Sequence, residues 1–158
     1  MLIVEDNRHM QHLLKEILRS FRVRTIRTAK DGADALKELQ TFEADIVIAD
    51  WNMDVLDGIE LLRMVRGGAD SINPFVPGLM LTGYSEAHHI LEARDAGMSE
   101  YLAKPVSARE LYQRICSIIE RPRAFIKTTM YKGPDRRRTE ANEKNNKGQR
   151  AEDKGEAA

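Results

Sequence analysis

The stretch Ala44-Asp45-Ile46-Val47-Ile48-Ala49-Asp50 constrains the chain more than any other. Its consecutive small or branched apolar residues, bounded by carboxylates, predict a short strand buried on both faces, the middle of a parallel sheet. Such a strand needs helices on each side, because neither face can be left in water. Asp50 stands at its carboxyl end, with Trp51-Asn52-Met53-Asp54-Val55-Leu56-Asp57-Gly58 following as a loop. Open α/β sheets place their ligand chemistry at that end of the strands. Taken alone, Asp50 has an equally good structural reading, since aspartate also starts turns and caps helices.

The rest of the chain supplies the layers. Leu2-Ile3-Val4 predicts a first strand, ended by Glu5-Asp6. Asn7 caps a helix whose apolar stripe is Met10, Leu13, Leu14, Ile17, Leu18 and Phe21. Val23 to Ala29 alternates apolar and basic residues, as an edge strand does. Asp31-Gly32 turns the chain into a second amphipathic helix carrying Ala33, Leu36, Leu39, Gln40 and Phe42. After the central strand, Gly58 to Arg66 predicts a third helix, stopped by Gly67-Gly68. Pro74 and Pro77 keep residues 68–77 a loop. Gly78 to Thr82 is a fourth strand, and Glu86 to Ala96 a fourth helix, the least apolar of the set. Glu100 to Ala103 is a fifth strand ending at Lys104-Pro105. Ser107 and Glu110 form a capping box for a fifth helix with the stripe Leu111, Ile115, Ile118 and Ile119. This alternation predicts an α/β fold, a doubly wound five-stranded parallel sheet of order 2-1-3-4-5 in a flavodoxin-like three-layer sandwich.

In that order Glu5, Asp6, Asp50, Thr82 and Lys104 all end strands and meet at one edge of the sheet. Singly, each has a plain alternative. Glu5 or Asp6 caps the first helix, Thr82 caps the fourth, and Lys104 is a solvated amine. Together they pose an electrostatic problem, because two like charges roughly 4 Å apart cost about 4 kcal/mol at an effective dielectric near 20. A cation resolves it. Oxygen ligands with no Cys or His beside them point to magnesium rather than zinc.

The ordered set Glu5-Asp6, Asp50-Trp51-Asn52-Met53, Asp57-Gly58, Thr82-Gly83 and Lys104-Pro105 resembles the receiver domain of two-component response regulators, over residues 1 to about 120. The resemblance implies that Asp50 takes a phosphoryl group from a sensor histidine kinase or phosphotransfer protein. It implies Mg²⁺ held by Asp6, Asp50 and the backbone carbonyl of Asn52, with Glu5 acting through water. Lys104 would contact the phosphate, and Thr82 would bond a phosphate oxygen while Tyr101 turns inward. A cis bond before Pro105 is a further family feature. The implied role is a phosphoacceptor switch that catalyses its own phosphorylation and dephosphorylation, not a turnover enzyme. Its output is contact with a downstream protein, or with a second copy, through helix 4, strand 5 and helix 5; a phosphoryl shuttle or sink is the variant reading.

The chain departs from the family pattern in three places. Asp54 stands where proline is usual, the first strand lacks its usual preceding residues, and Tyr84 sets an aromatic ring near Thr82. Two other classes compete for the same residues. A phosphatase forming an aspartyl phosphoenzyme would carry a second acid where Asn52 stands, and a flavin carrier would need a Ser/Thr/Gly-rich loop after the first strand.

Composition bears on setting and on the tail. No apolar run approaches the roughly 18 residues that cross a bilayer, and the single Cys116 fits a packed helix face in a reducing, cytoplasmic setting. Adjacent His88 and His89 point about 100° apart on a helix, too far to chelate one metal, and read as a solvated face. Trp51 reads as a partly exposed apolar cover. Residues 1–120 carry 14 Lys/Arg against 19 Asp/Glu, whereas residues 121–158 carry 11 against 6. Residues 121–138 therefore read as a basic extension with enough apolar surface (Phe125, Ile126, Met130, Tyr131) to dock, and 139–158 as a disordered polar tail. Gly133-Pro134-Asp135-Arg136-Arg137-Arg138 has no interleaved aromatics or recognition helix, which argues against DNA as a partner.

Overall fold

A computed structural model describes residues 1–68, 71–83 and 87–137. Its core is a five-stranded parallel sheet built from β1 (Leu2–Val4), β2 (Arg27–Ala29), β3 (Val47–Asp50), β4 (Gly78–Thr82) and β5 (Glu100–Ala103), in the order β2-β1-β3-β4-β5. The helices α1 (Arg8–Ser20), α2 (Gly32–Thr41), α3 (Gly58–Gly67), α4 (Ala87–Asp95) and α5 (Ala108–Glu120) connect them. This is the doubly wound, three-layer arrangement that the sequence predicts.

Period-two alternation sorts the side chains into two cores. Ile3, Ile48, Leu79 and Leu81 point to one face, against Leu14 and Leu18 of α1 and Leu111, Ile115 and Ile118 of α5. Leu2, Val4, Val47, Ala49 and Met80 point to the other, against Ala35, Ile59, Leu62 and Ala93 of α2, α3 and α4. Every residue of β3 is buried. Leu13 and Ile119, assigned to buried stripes by periodicity, are instead exposed. Ile118 and Ile119 are neighbours about 100° apart, so only one of them can face the sheet.

β2 is shorter than the alternation of Val23 to Ala29 suggests. A strand persists only where it has a partner, and β1 offers Leu2, Ile3 and Val4 to Arg27, Thr28 and Ala29. A second sheet was not foreseen. β6 (Phe125–Lys127) and β7 (Lys132–Pro134) pair antiparallel as a hairpin after α5. The hairpin packs at the amino end of the main sheet, where an added Cβ on Gly133 would lie 2.8 Å from the Gly97 Cα. Tyr131 closes it, its hydroxyl donating to the Pro134 carbonyl at 2.8 Å. The expected disorder of residues 139–158 and the position of Tyr84 lie outside the described residues.

Gly58 matters at the other end of the sheet. Its N–H donates to the Trp51 carbonyl at 3.1 Å. A Cβ there would overlap the Asp50 carbonyl oxygen and sit 2.7 Å from the Met80 sulfur. Gly58→Ala is expected to cost about 3 kcal/mol, because backbone on one side cannot yield. A urea unfolding midpoint equal to that of the wild type would contradict this packing.

Candidate functional site

The carboxyl ends of β1, β3, β4 and β5 bring the acidic and basic residues together. Glu5 follows β1 and is almost fully buried; its carboxylate accepts from the Asn7 N–H at 3.2 Å and from the Lys104 ammonium at 3.3 Å. Gln11 of α1 holds the chain there, donating to the carbonyls of Glu5 at 2.6 Å and Ala29 at 3.2 Å. Asp6 is exposed beside it. Asp50 ends β3 and is buried, with the Lys104 nitrogen 3.0 Å from its Oδ1. One oxygen each from Glu5, Asp6 and Asp50 lies within 4.8 Å of the others.

The capping alternative fails for Glu5 and Asp6. Asn7, not Glu5 or Asp6, caps α1, its side-chain oxygen accepting from the N–H groups of His9 and Met10. Thr82 is buried as the last residue of β4; residues 84–86, which separate it from α4, lie outside the described residues. Lys104 is not a solvated amine. Its ammonium pairs with Asp50 and Glu5. Its backbone N–H donates to the Thr82 carbonyl at 2.7 Å, tying the ends of β4 and β5, and the peptide between Lys104 and Pro105 is cis.

Burial and the neighbouring Asp50 push the Glu5 carboxyl above its ordinary pKa, against the pull of Asn7 and Lys104. Burial alone would lower the Lys104 ammonium, but Asp50 and Glu5 together hold it above its usual value. One cation thus answers three carboxylates, and the donor set retains an excess of negative charge. All-oxygen donors of this kind suit a hard divalent cation. Asn52 is exposed in the loop just after β3. Tyr101 lies half-buried in β5 opposite Met80, with the Arg114 guanidinium 5.8 Å from its ring centre.

Trp51 differs from its sequence reading. It is buried, and its ring meets that of His89 edge-on at 5.3 Å. His89 is therefore half-buried against the loop that follows Asp50, while His88 is exposed as expected. No periodicity signals this pair, because it joins a loop to a helix distant in sequence.

The profile for the response regulator receiver domain matches residues 1–116. The chain belongs to that family. Among its relatives, the chemotaxis protein CheY of Pseudomonas aeruginosa is 38% identical over 120 residues, covering 76% of this chain and 95% of the relative. Chemotaxis protein CheY-3 of Vibrio cholerae is 37% identical over the same length, 91% of its own. A solved response regulator from Chloroflexus aurantiacus superposes with TM-score 0.69 at 31% identity, covering 76% of this receiver and 96% of that chain. The receiver domain of a sensor histidine kinase from P. aeruginosa, solved with magnesium in its active site cleft, gives TM-score 0.63 at 33% identity over 73% of this chain and 92% of that one. The receiver is thus of the CheY-like type that serves two-component signalling, a class of phosphoacceptor switches rather than classical enzymes. The β6–β7 hairpin lies beyond the matched residues. Among the described residues, no helix is long and apolar enough to cross a membrane.

Proposed function

We propose that this receiver takes a phosphoryl group on Asp50 from the phosphohistidine of a sensor kinase or phosphotransfer protein. The observation that carries this reading is the convergence of Glu5, Asp6 and Asp50 at the carboxyl end of the central strand, with Lys104 paired to Glu5 and Asp50. An Asp50 carboxylate oxygen attacks phosphorus in line; the histidine N–P bond breaks as the aspartyl O–P bond forms, and the imidazole leaves with the electron pair. Lys104, already 3.0 Å from Asp50, faces the charge that gathers on the phosphoryl oxygens. Asp6, Asp50 and the Asn52 carbonyl would hold Mg²⁺, with Glu5 acting through water. When bound, the ion neutralises the carboxylates and the phosphoryl oxygens.

Incubation with acetyl phosphate and Mg²⁺, followed by intact mass measurement, tests the proposal. One adduct of about 80 Da is expected, the mass of a phosphoryl group. EDTA should prevent it. In calorimetric titration Mg²⁺ should bind the wild type, and Asp6→Ala should weaken binding at least about tenfold, or about 1.4 kcal/mol. Unchanged affinity in that variant would sink the ligand set.

Thr82 and Tyr101 are the proposed switch pair. Capture of the phosphoryl oxygens by Thr82 draws it towards Asp50, Tyr101 turns inward, and the face made by α4, β5 and α5 is re-presented to a partner or a second copy. A tenfold population shift needs only about 1.4 kcal/mol of differential binding, within reach of one charge-assisted hydrogen bond. Beryllofluoride, a phosphoryl mimic, should shift amide resonances across residues 87–115 in wild type and far less in Thr82→Ala. Equal shifts in both would remove Thr82 from the coupling.

A further inference from the structure

The α4–β5 edge holds a groove of about 320 Å³ that the receiver core does not build alone. Ile90, Leu91 and Met98 give it an apolar floor, and Tyr101 lies along it. Its remaining wall includes Arg123 and Arg136, which flank the β6–β7 hairpin and lie outside the family match.

The hairpin holds these arginines firmly. Phe125 lies under the buried guanidinium of Arg66, 5.1 Å from its ring centre, and Gly133 is seated against Gly97. Arg136 covers the Tyr131 ring at 3.9 Å and reaches Asp95 at the end of α4 at 3.4 Å. Arg123 reaches Glu100 at 4.0 Å.

Charge decides what the groove can accept. Arg94, Arg123 and Arg136 line it, with Arg114 behind Glu100. Against them stand two acids: Glu100 in the lining and Asp95 beside it, which pairs with Arg136 at 3.4 Å and Arg94 at 3.7 Å, so the arginines still outnumber the carboxylates. Glu100 is nearly buried and already engaged by Arg114 at 3.3 Å and the Ser117 hydroxyl at 3.0 Å. On a body where acids outnumber bases, this is a local positive site around an apolar slot. We infer that the C-terminal hairpin completes this groove, and that its occupant is a partner segment placing an apolar side chain between carboxylates. The inference rests on the proposed output face and names the chemistry of its partner.

A random dodecapeptide display library, panned on the beryllofluoride-treated full chain, supplies the probe. Enriched peptides should carry Asp or Glu next to Leu, Ile, Phe or Met. Fluorescence anisotropy then measures the leading peptide on wild type and variants. Arg123→Gln with Arg136→Gln should weaken it about tenfold, as should Asp→Asn changes within the peptide. Asp95→Asn separates charge from scaffolding. It breaks the Arg136 ion pair, yet removes a competing carboxylate, so it should tighten binding, whereas a merely structural role for the pair makes it weaken binding. No enrichment, an enriched set without excess acid, or weakening by Asp95→Asn would each overturn the inference. Acid-dependent binding that is equal with and without beryllofluoride would uphold the groove while sinking phosphoryl control of the face.

Discussion

Asp50→Asn is expected to fold normally and to gain no phosphoryl mass after incubation with acetyl phosphate and Mg²⁺. The amide keeps the shape of the buried side chain but offers no anionic oxygen to attack phosphorus. Stability should change little, because two electrostatic effects oppose each other. The variant loses the 3.0 Å pair with Lys104, which keeps Glu5 at 3.3 Å, and it relieves repulsion between Asp50 and Glu5. Each effect is of order a few kcal/mol before they cancel, so a thermal midpoint within a few degrees of wild type is expected. A variant that still gains about 80 Da on another carboxylate would show that the nucleophile lies elsewhere.

The largest stability loss is expected at Arg66→Met, away from Asp50. Arg66 lies on α3 at 4% exposure, and its guanidinium donates to the carbonyls of Pro74 at 2.8 Å, Val76 at 2.6 Å and Gly97 at 3.2 and 3.1 Å. Those carbonyls lie just before β4 and β5, so one side chain fastens α3, two loops and, through Phe125, the hairpin. Burial pushes the guanidinium down to about 10, still protonated at neutral pH. Methionine fills much of the stem's volume and supplies no donor. Each carbonyl stranded in the interior costs about 1–3 kcal/mol. With three of them, Pro74 only part-buried, a total of roughly 3–5 kcal/mol, the lower part of that sum, is expected. The thermal midpoint should fall by roughly 10 °C, while uptake of phosphoryl by Asp50 in the remaining folded protein persists. A loss below about 1 kcal/mol would mean that water reaches those carbonyls.

The sheet was legible because its strands are short, apolar and separated by strong helix caps. Asn7, Asp31, Asp57 and Ser107 each cap a helix through the side chain. The candidate site was legible for a topological reason: once the strand order is known, every strand-ending residue lands on one edge. What stayed hidden depends on contacts between segments distant in sequence. Val23 to Ile26 alternate like a strand, yet the ladder with β1 begins only at Arg27, and Thr25 offers its carbonyl to the Met1 ammonium instead. The Trp51–His89 contact needs α4 to lie over the β3 loop before either residue looks buried. The hairpin was hidden for its own reason, since Gly133-Pro134 reads as a strand breaker. Pro134 sits instead in a two-stranded ribbon, opposite Phe125, with a side free of any further strand among the described residues.

The edge-on contact between Trp51 and His89 gives the molecule a built-in optical gauge. The chain has a single tryptophan, so its emission reports one place without any label. That place adjoins Asp50, the proposed nucleophile, in the chain and touches α4 through the imidazole. Thermodynamic linkage is reciprocal: a peptide that favours one position of α4 must alter affinity at the Asp50 end by the same factor. Indole emission can therefore follow that reciprocity from either direction, with a cation titrated against peptide or peptide against cation in one cuvette.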